Sequence, residues 1–313
     1  MTKEKEMGRI IIENDHKYYA TTIKPSESQW LVNGNTFSFV GHTVKELPAG
    51  YYKIIYDQRD GTNKFMLVDP EGDDLLILPH EVMSKIIKDV ESFWQKEEKY
   101  AKYKFLYKRG ILLYGEPGCG KSSIISLLAQ KIISNHNGVV ISIDNLDAIY
   151  GLFKVIGKLS YIEEGRKFIV VFEDIDAHIE DKDVLSKLLN ILDGLDSMPN
   201  VIIIATTNFP EKLEKRITNR PSRFDRRYEI GRANAEIRRY YLNAKLTEED
   251  KKKYKVESIV KRTEGYTIDH LKELILSVFV LGYDIEDAYK EIDAINKRGV
   301  LRNTENKELG YKN

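Results

Sequence analysis

The chain has 313 residues, of which 42% are hydrophobic and 31% are charged, a composition typical of a folded globular protein rather than a disordered or fibrous one. Lysine and arginine total 49, and aspartate and glutamate also total 49, so no net charge favours binding to nucleic acid or to an acidic membrane. The single cysteine, Cys119, excludes an intramolecular disulfide and a structural zinc site built from several thiolates.

The sequence predicts a protein of the reducing cytoplasm without a membrane-spanning segment. Its first residues contain no apolar run of signal-peptide length. Apolar stretches elsewhere are much shorter than the ~20 residues that cross a bilayer. The length of the chain favours about two domains, a larger unit and a smaller one.

Residues 1–79 are predicted to form a small β-rich domain. Short runs of β-branched and aromatic residues are separated there by turn pairs such as Asn33-Gly34 and Asp60-Gly61, which favour antiparallel hairpins. The aromatic side chains form either a binding face or, as is more common, the core of a small sheet. Apolar residues at intervals of three and four then predict an amphipathic helix over residues 81–103.

From residue 110 the pattern changes to apolar runs separated by helical stretches, which predicts a parallel sheet with helices on both faces. We therefore expect an α/β core over residues 80–232, an αβα sandwich that includes the leading helix. Residues 233–297 have helical periodicity throughout, and the residues after them have little periodicity. The sequence thus predicts a small helical lid followed by a C-terminal tail over residues 233–313.

The strongest motif is GEPGCGKS at residues 115–122, in which two glycines five residues apart are followed by a lysine and a hydroxyl residue. An apolar strand precedes it and a helix follows, so the turn directs backbone N–H groups and the helix N-terminus at phosphate oxygens. We expect Lys121 to bind the β- and γ-phosphates of ATP and Ser122 to ligate Mg²⁺. The predicted nucleotide contacts are Gly115, Glu116, Pro117, Gly118, Cys119, Gly120, Lys121, Ser122 and Ser123.

Cys119 lies inside this turn, where its backbone rather than its side chain is expected to bind the nucleotide. Two interpretations of the side chain stay open. It is either a small residue that the turn tolerates, or a redox-sensitive thiol whose pKa is lowered by the N-terminus of the following helix.

Carboxylates follow a second apolar strand, at residues 168–172, where Glu173 and Asp174 are adjacent in the sequence. Consecutive side chains of a strand point to opposite sides. One carboxylate can therefore hold Mg²⁺ while the other faces the γ-phosphate and orients the attacking water. Asp176, two residues further on, is also explained as the cap of a following helix.

Two further segments supply polar groups to the same chemistry. A buried strand at residues 201–207 is followed by Asn208, whose amide can hydrogen-bond to the same water. The segment NRPSRFDR contains Arg220 and Arg223, and a positioned guanidinium stabilises the charge that develops on the γ-phosphoryl oxygens. The alternative for these two arginines is a cluster of surface ion pairs.

With these four motifs in this order, the chain resembles the AAA family of ATPases over residues 103–280. LLYGEPGCGKSS is similar to the Walker A segment of that family, and FEDIDA, IIIATTN and NRPSRFDR are similar to its Walker B, sensor 1 and arginine-finger segments. GYTIDHLKEL, at residues 265–274, resembles the start of the lid helix that packs near the nucleotide. The reversed order Glu173-Asp174 and the segment YKRGILLYG resemble the branch that contains the mitochondrial translocase of the Rieske iron-sulfur protein.

The resemblance implies roles for individual residues at the nucleotide. Glu173, which stands where most members of the family have aspartate, would bind Mg²⁺ together with Ser122. Asp174 would then act on the attacking water. Tyr107 lies in a stretch similar to the one that runs past the adenine in relatives, and we expect it to contact the nucleotide.

The resemblance also implies a homo-oligomeric ring, expected to be a hexamer. In such a ring Arg220 and Arg223 reach the ATP of the next subunit. Tyr150, which precedes a glycine in the loop after the second core strand, is either a pore residue that grips the substrate or an ordinary core or surface tyrosine.

Three hypotheses for the function follow. The first, which the balanced charge and the complete catalytic set favour, is a chaperone-like ring that uses ATP hydrolysis to remodel or translocate a macromolecule, protein rather than nucleic acid. The second is a DNA-associated loader or replication ATPase, whose hydrolysis DNA would stimulate with a steep salt dependence. The third is a scaffold that assembles on ATP and hydrolyses it slowly.

Overall fold

The computed structural model describes residues 29–33, 36–40, 44, 46–57, 62–69, 76, 78–79, 81–143, 149, 152, 159, 163, 165–177, 182–193, 200–213 and 223–309. The strands are β1 Gln29–Asn33, β2 Thr36–Val40, β3 Gly50–Asp57, β4 Thr62–Val68, β5 Lys108–Tyr114, β6 Val139–Ile143, β7 Phe168–Phe172, β8 Val201–Thr207 and β9 Arg226–Glu229. The α-helices are α1 Glu81–Trp94, α2 Glu97–Lys102, α3 Lys121–His136, α4 Lys182–Asp193, α5 Ala235–Lys245, α6 Glu248–Lys253, α7 Val256–Arg262, α8 Ile268–Ile275 and α9 Ile285–Leu309. Short turns of 3₁₀ helix lie at Ile175–Ala177 and Pro210–Lys212, and a π-helical turn lies at Leu276–Val280.

The main sheet contains seven strands in the order β4-β3-β6-β7-β8-β5-β9. Its neighbouring strands are parallel except for β3 and β4, which pair antiparallel. The register of β5 on β8 pairs Tyr114 with Thr207, so the carboxyl ends of these two strands meet at one edge of the sheet. The predicted α/β fold with a mostly parallel sheet is confirmed.

The sheet is covered on both faces, which explains the continuous apolar runs of its strands. Val140 and Ile202 belong to a buried cluster with apolar residues of α1 and α3. The next residues along the same strands, Ile141 and Ile203, belong to a second cluster with apolar residues of α4. Because alternate side chains of a strand point to opposite faces, a strand between two helical layers is apolar at most of its positions.

The structure corrects the predicted domain of residues 1–79 in one respect, because β3 and β4 belong to the main sheet. Gly50 pairs with Val139, and the parallel register continues along β3 and β6. The turn-rich pattern correctly indicates that β3 and β4 form a hairpin, but an alternating pattern does not identify the sheet that a hairpin joins. The β1–β2 hairpin forms a separate two-stranded sheet. Residues 1–28 lie outside the described residues.

Two aromatic residues of β3 are core residues of the main sheet. Tyr51 and Tyr52 are both buried, and they belong to the clusters on opposite faces. The Tyr52 hydroxyl donates a hydrogen bond to the Pro48 carbonyl oxygen at 2.7 Å. For these two side chains the structure therefore favours a core role over a binding face.

The C-terminal helices have a hydrophobic core of their own. Leu242 of α5, Leu271 of α8 and Tyr266, which lies between α7 and α8, are almost completely buried there. At the start of α8 the Thr267 hydroxyl accepts a hydrogen bond from the His270 N–H at 3.3 Å, which caps the helix. The predicted C-terminal helical unit is thus present. In the described ranges, no helix combines the length and the apolar character needed to cross a membrane.

Gly110 of β5 lies against the backbone of the segment that precedes β9. A Cβ atom at this position would lie 1.8 Å from the Arg223 carbonyl oxygen. The Gly110 N–H donates a hydrogen bond to Asp225 Oδ1 at 3.0 Å, and Arg109 forms an ion pair with the same carboxylate, with 3.1 Å between Nε and Oδ2. Residue 110 must therefore lack a side chain if this segment is to stay on β5.

We expect Gly110→Ala to lower the free energy of unfolding by about 1 to 3 kcal/mol or more, because the new methyl group overlaps a backbone carbonyl that the sheet holds in place. Gly231→Ala is the matched control, since a Cβ atom at Gly231 meets no atom within 4 Å. The control should change stability by no more than ~0.5 kcal/mol. Urea unfolding followed by circular dichroism measures both variants, and equal stabilities would contradict the close approach.

Candidate functional site

Three neighbouring strands bring polar residues to one edge of the main sheet. β5 leads into the glycine-rich loop of residues 115–120, called the P-loop below, β7 leads into Glu173 and Asp174, and β8 leads into Asn208. Because β8 lies between β7 and β5, Asn208 lies between the carboxylates and the P-loop. The Gly115 N–H donates to the Thr207 carbonyl oxygen at 3.3 Å, which joins the start of the P-loop to the end of β8.

Lys121, the first residue of α3, occupies the centre of this edge and is only 6% exposed. Its ammonium donates hydrogen bonds to the carbonyl oxygens of Gly115 and Glu116, at 2.9 and 3.0 Å, and to Asn208 Oδ1 at 2.6 Å. Burial lowers the pKa of Lys121, while nearby groups that include the Asp174 carboxylate oppose that shift. An ammonium has three donors, so every donor has an oxygen partner that a phosphate oxygen can replace.

Ser122 and Glu173 form a direct contact beside the P-loop. The Ser122 hydroxyl donates to Glu173 Oε2 at 2.7 Å. A hydroxyl and a carboxylate are oxygen ligands of the kind that suit Mg²⁺, which takes one or two protein ligands and fills the remaining positions with phosphate and water oxygens. The pair therefore fits a Mg²⁺ ion that is bound together with a nucleotide.

Asp174 faces Asn208 rather than Ser122, so the two adjacent carboxylates have different partners. The Asn208 amide donates to Asp174 Oδ1 at 2.9 Å. Asp174 has a φ of +46°, a left-handed conformation that aspartate and asparagine adopt more readily than most residues. This geometry separates one carboxylate suited to Mg²⁺ from a second one that is free to orient a water molecule.

Hydroxyl groups at the end of β8 hold the turn after β7, which carries Asp174, in place. The Asp174 N–H donates to Thr206 Oγ1 at 2.9 Å, and the Thr207 hydroxyl donates to Asp176 Oδ1 at 2.6 Å. Asp176 therefore fixes the turn after β7 to the end of β8. The sequence marks these threonines only as part of a strand that ends in polar residues, and it does not identify their partners.

The P-loop also contacts the lid, as the resemblance of residues 265–274 implies. Gly118 has a φ of +76°, and a Cβ atom there would lie 2.9 Å from the side chain of Asp269 in α8. The Asp269 N–H donates to the Gly118 carbonyl oxygen at 3.2 Å. Gly118 thus satisfies both a left-handed turn and a close approach to the lid.

Cys119 is buried, and burial raises the pKa of its thiol to about 11, with Lys121 acting in the opposite direction. A thiol of this kind stays protonated at neutral pH, whereas oxidation requires the thiolate. The structure therefore favours a small buried residue over a redox-sensitive one. Pro117, by contrast, is exposed at the tip of the P-loop.

Arg232 is a residue of this region that sequence analysis missed. Its guanidinium forms an ion pair with Glu116 of the P-loop, with 2.6 Å between Nη2 and Oε2. An arginine after a strand is unremarkable in the sequence. The one indication is Glu116 itself, because a carboxylate inside a loop that binds anions needs a cation to offset its charge.

The structure places Tyr107 far from the P-loop, so its prediction as a nucleotide contact is wrong. Tyr107 precedes β5, while the P-loop follows it, and seven residues of strand separate their ends by roughly 23 Å. Its ring stacks on Phe93 with 4.4 Å between ring centroids, and its hydroxyl donates to the Phe93 carbonyl oxygen at 3.1 Å. Burial raises the pKa of Tyr107 to about 12. Tyr107 itself is buried in the core, whereas Tyr103 and Phe105 of the same segment are exposed.

Arg223 differs from the prediction of an arginine that reaches a neighbouring subunit. Its side chain is 4% exposed and pairs with Asp193 of α4, with 2.8 Å from Nε to Oδ1 and 2.6 Å from Nη2 to Oδ2. A guanidinium held in this way cannot extend from the surface. Arg220 and Tyr150 lie outside the described residues.

Comparison with known proteins agrees with this geometry. Residues 111–232 match the model of the family described as ATPase family associated with various cellular activities (AAA). The chain is 35% identical over 167 residues to AAA-ATPase At3g50940 of Arabidopsis thaliana, which covers 48% of this chain and 35% of the relative. It is 31% identical over 198 residues to Mitochondrial chaperone BCS1 of Danio rerio, which covers 56% of this chain and 45% of the relative.

The human protein named Mitochondrial chaperone BCS1 is 30% identical over 175 residues, which is 50% of this chain and 39% of the relative. The chain thus spans less than half the length of these relatives. Relatives named BCS1 agree with the branch that the motifs indicate. Together with the P-loop geometry and the sheet, the family match shows that residues 111–232 form an AAA ATPase domain.

Proposed function

We propose that the chain is a subunit of a homo-oligomeric ring that hydrolyses ATP to remodel or translocate a protein substrate. The observation that carries the proposal is the hydrogen-bonded chain from Lys121 through Asn208 to Asp174. It links a cation suited to the terminal phosphates with a carboxylate suited to the attacking water. The match of residues 111–232 to the AAA family model and the chaperones among the relatives support the same function.

ATP binding is assigned to the P-loop and to the first turn of α3. Lys121 exchanges its present oxygen partners for oxygens of the β- and γ-phosphates. The backbone N–H groups of residues 115–123 and the N-terminus of α3 supply further positive potential to the same phosphates. Ser122 and Glu173 would hold Mg²⁺ together with the nucleotide, and the ion would supply positive charge to the phosphate oxygens.

Hydrolysis requires a water molecule in line with the γ-phosphorus. The water oxygen forms a bond to that phosphorus while the bond to the β,γ-bridging oxygen breaks, and ADP and inorganic phosphate result. Asp174 orients the water and takes up the proton that it loses. Asn208 keeps this carboxylate in place through the hydrogen bond described above.

The ring, expected to be a hexamer, is proposed because the transition state needs a guanidinium. Arg223 lies at the opposite end of β5 from the P-loop of its own chain, which supports action of its segment on a neighbouring chain. Arg220 is the preferred candidate for the arginine that reaches the ATP of the neighbouring subunit, since Arg223 is paired with Asp193. The compartment stays a prediction: one cysteine fits the cytoplasm, whereas the relatives named BCS1 are called mitochondrial.

We expect Lys121→Ala to weaken ATP binding by ~100-fold or more, because at least two charge-assisted hydrogen bonds of about 1.5 to 3 kcal/mol each are lost. Lys131→Ala is the matched control on the same helix, where the lysine is half-exposed and 3.6 Å from Glu91. Isothermal titration calorimetry with ATP and Mg²⁺ measures both. ATP consumption by Lys121→Ala at the wild-type rate would refute the proposal.

We expect Asp174→Asn to slow hydrolysis by ~10²- to 10⁴-fold, since the amide cannot accept the proton from water. The affinity for ATP should stay within a few-fold of wild type, because asparagine tolerates the left-handed backbone of residue 174. Glu211→Gln, at an exposed carboxylate three residues after Asn208, is the control. Phosphate release and ATP affinity are measured together. Unchanged turnover in Asp174→Asn would contradict the role of Asp174.

The ring is tested by mass in solution. With a slowly hydrolysed ATP analogue, or with ATP in the Asp174→Asn variant, we expect a closed assembly whose mass is a multiple of the 36.3 kDa chain. Protein that copurifies with this trapped assembly identifies the substrate. A monomer under all nucleotide conditions, or hydrolysis stimulated by DNA instead of protein, would contradict this part of the proposal.

A further inference from the structure

Arg232 joins three parts of the chain through one guanidinium. Its Nε and Nη2 atoms donate to Glu116 Oε2 in the P-loop, at 2.9 and 2.6 Å. Its Nη1 atom donates to the Gly265 carbonyl oxygen at 2.5 Å and to Asn296 Oδ1 at 2.9 Å. Gly265 lies in the turn before α8, and Asn296 lies in α9. Arg232 therefore contacts the nucleotide loop and two separate elements of the lid.

These contacts need an arginine rather than a lysine. A guanidinium carries five N–H donors in a rigid plane, so it can bond a carboxylate on one side and two further acceptors on another. A lysine ammonium is a compact point charge on a flexible stem, and it cannot span acceptors that lie in three directions. The side chain is 26% exposed, so these bonds are partly protected from water.

Glu116 requires the same interaction from its own side. It lies inside a loop whose backbone is arranged to attract phosphates, where an unpaired carboxylate would repel an incoming polyphosphate. The Arg232 guanidinium offsets that charge. The side chain of Glu116 thus connects the P-loop to Arg232. Removal of either residue leaves the other without its ion pair.

A second contact keeps the lid within reach of the P-loop. The Asp269 N–H donates to the Gly118 carbonyl oxygen, and the two residues touch. Phosphates that bind Lys121 replace its contacts with the carbonyl oxygens of Gly115 and Glu116. Glu116 also carries the carboxylate that pairs with Arg232, and Gly118, which Asp269 contacts, lies two residues further along the same loop. The lid is therefore connected to the P-loop in two ways. One is the backbone hydrogen bond from Asp269 to Gly118, and the other is the side chain of Arg232.

We infer that Arg232 is a positioning residue that transmits occupancy of the P-loop to the lid, through its simultaneous bonds to Glu116, Gly265 and Asn296. This inference rests on the proposed function, because it assigns a means of regulation to the same nucleotide site. Arg232 would couple the P-loop to the lid without itself contacting the phosphates.

The test is amide hydrogen exchange on the full chain, with and without a slowly hydrolysed ATP analogue and Mg²⁺. Amides of residues 118–123 report nucleotide binding itself, and amides of residues 265–275 report the response of the lid. Arg232→Ala is compared with Arg239→Ala, which removes an exposed arginine of α5 whose ion pair with Glu257 lies entirely within the lid. Both variants lose one arginine and one ion pair.

Wild type and Arg239→Ala should show nucleotide-dependent protection at both segments. In Arg232→Ala, protection at residues 118–123 should persist while protection at residues 265–275 falls by roughly 5- to 100-fold, the usual range of coupling between two sites. Hydrolysis should show a lower kcat with a KM for ATP within a few-fold of wild type. Arg232→Lys should not restore the lid response, since one ammonium cannot replace the planar guanidinium with its five N–H donors.

Glu116→Gln keeps the shape of the P-loop and provides a second, milder variant. It should reduce the lid response, and the double variant with Arg232→Ala should be no worse than Arg232→Ala alone, because both changes break the same pair. Full protection of residues 265–275 in Arg232→Ala, with residues 118–123 protected, would overturn the inference and leave the proposed function intact. If wild-type residues 118–123 gain no protection from the analogue, nucleotide binding fails, and both proposals fail with it.

Discussion

The arrangement of the candidate site depends on the hydrogen bonds of the buried Lys121 ammonium. A buried charge without partners is strongly unfavourable, so its donors fix the carbonyl groups of the P-loop on one side and Asn208 on the other. Asn208 in turn holds Asp174 through its amide. Oxygens of the chain itself thus satisfy all three donors of this ammonium. Binding exchanges one set of acceptors for another, and the lysine never has to be buried unpaired.

Much of the fold could be predicted because the strands of a covered parallel sheet are apolar over most of their length. Residues 168–172 and 201–205 form such runs, and the polar residues that chemistry requires follow each of them. Since parallel strands share one direction, their ends meet, and the convergence of Glu173, Asp174 and Asn208 on the P-loop follows from the topology. Local pattern and global fold agree in this part of the chain.

The remaining features depend on contacts between residues distant in sequence, which periodicity does not report. The hairpin of β3 and β4 has the same pattern whether it stands alone or extends the main sheet. The pairing of Arg223 with Asp193 and that of Arg232 with Glu116 each join charges that are common on any surface. The prediction for Tyr107 is wrong because the resemblance concerns a segment of chain, and Tyr107 lies in that segment at the end of β5 opposite to the P-loop, with its ring in the core. The sequence therefore identifies the residues that carry the chemistry better than the residues that hold them in place.

The addition of β3 and β4 to the main sheet has a consequence for shortened versions of the protein. A fragment that starts at residue 80 would retain every motif of the ATPase domain but would lose the strand that covers the side of β6. The exposed backbone of β6, a fully buried strand of sequence VVISI, is then a template for pairing with another molecule. Such a fragment is expected to aggregate on expression, even though the family match begins at residue 111. The unit that completes the main sheet therefore includes β3 and β4 and is longer than the segment that matches the family model.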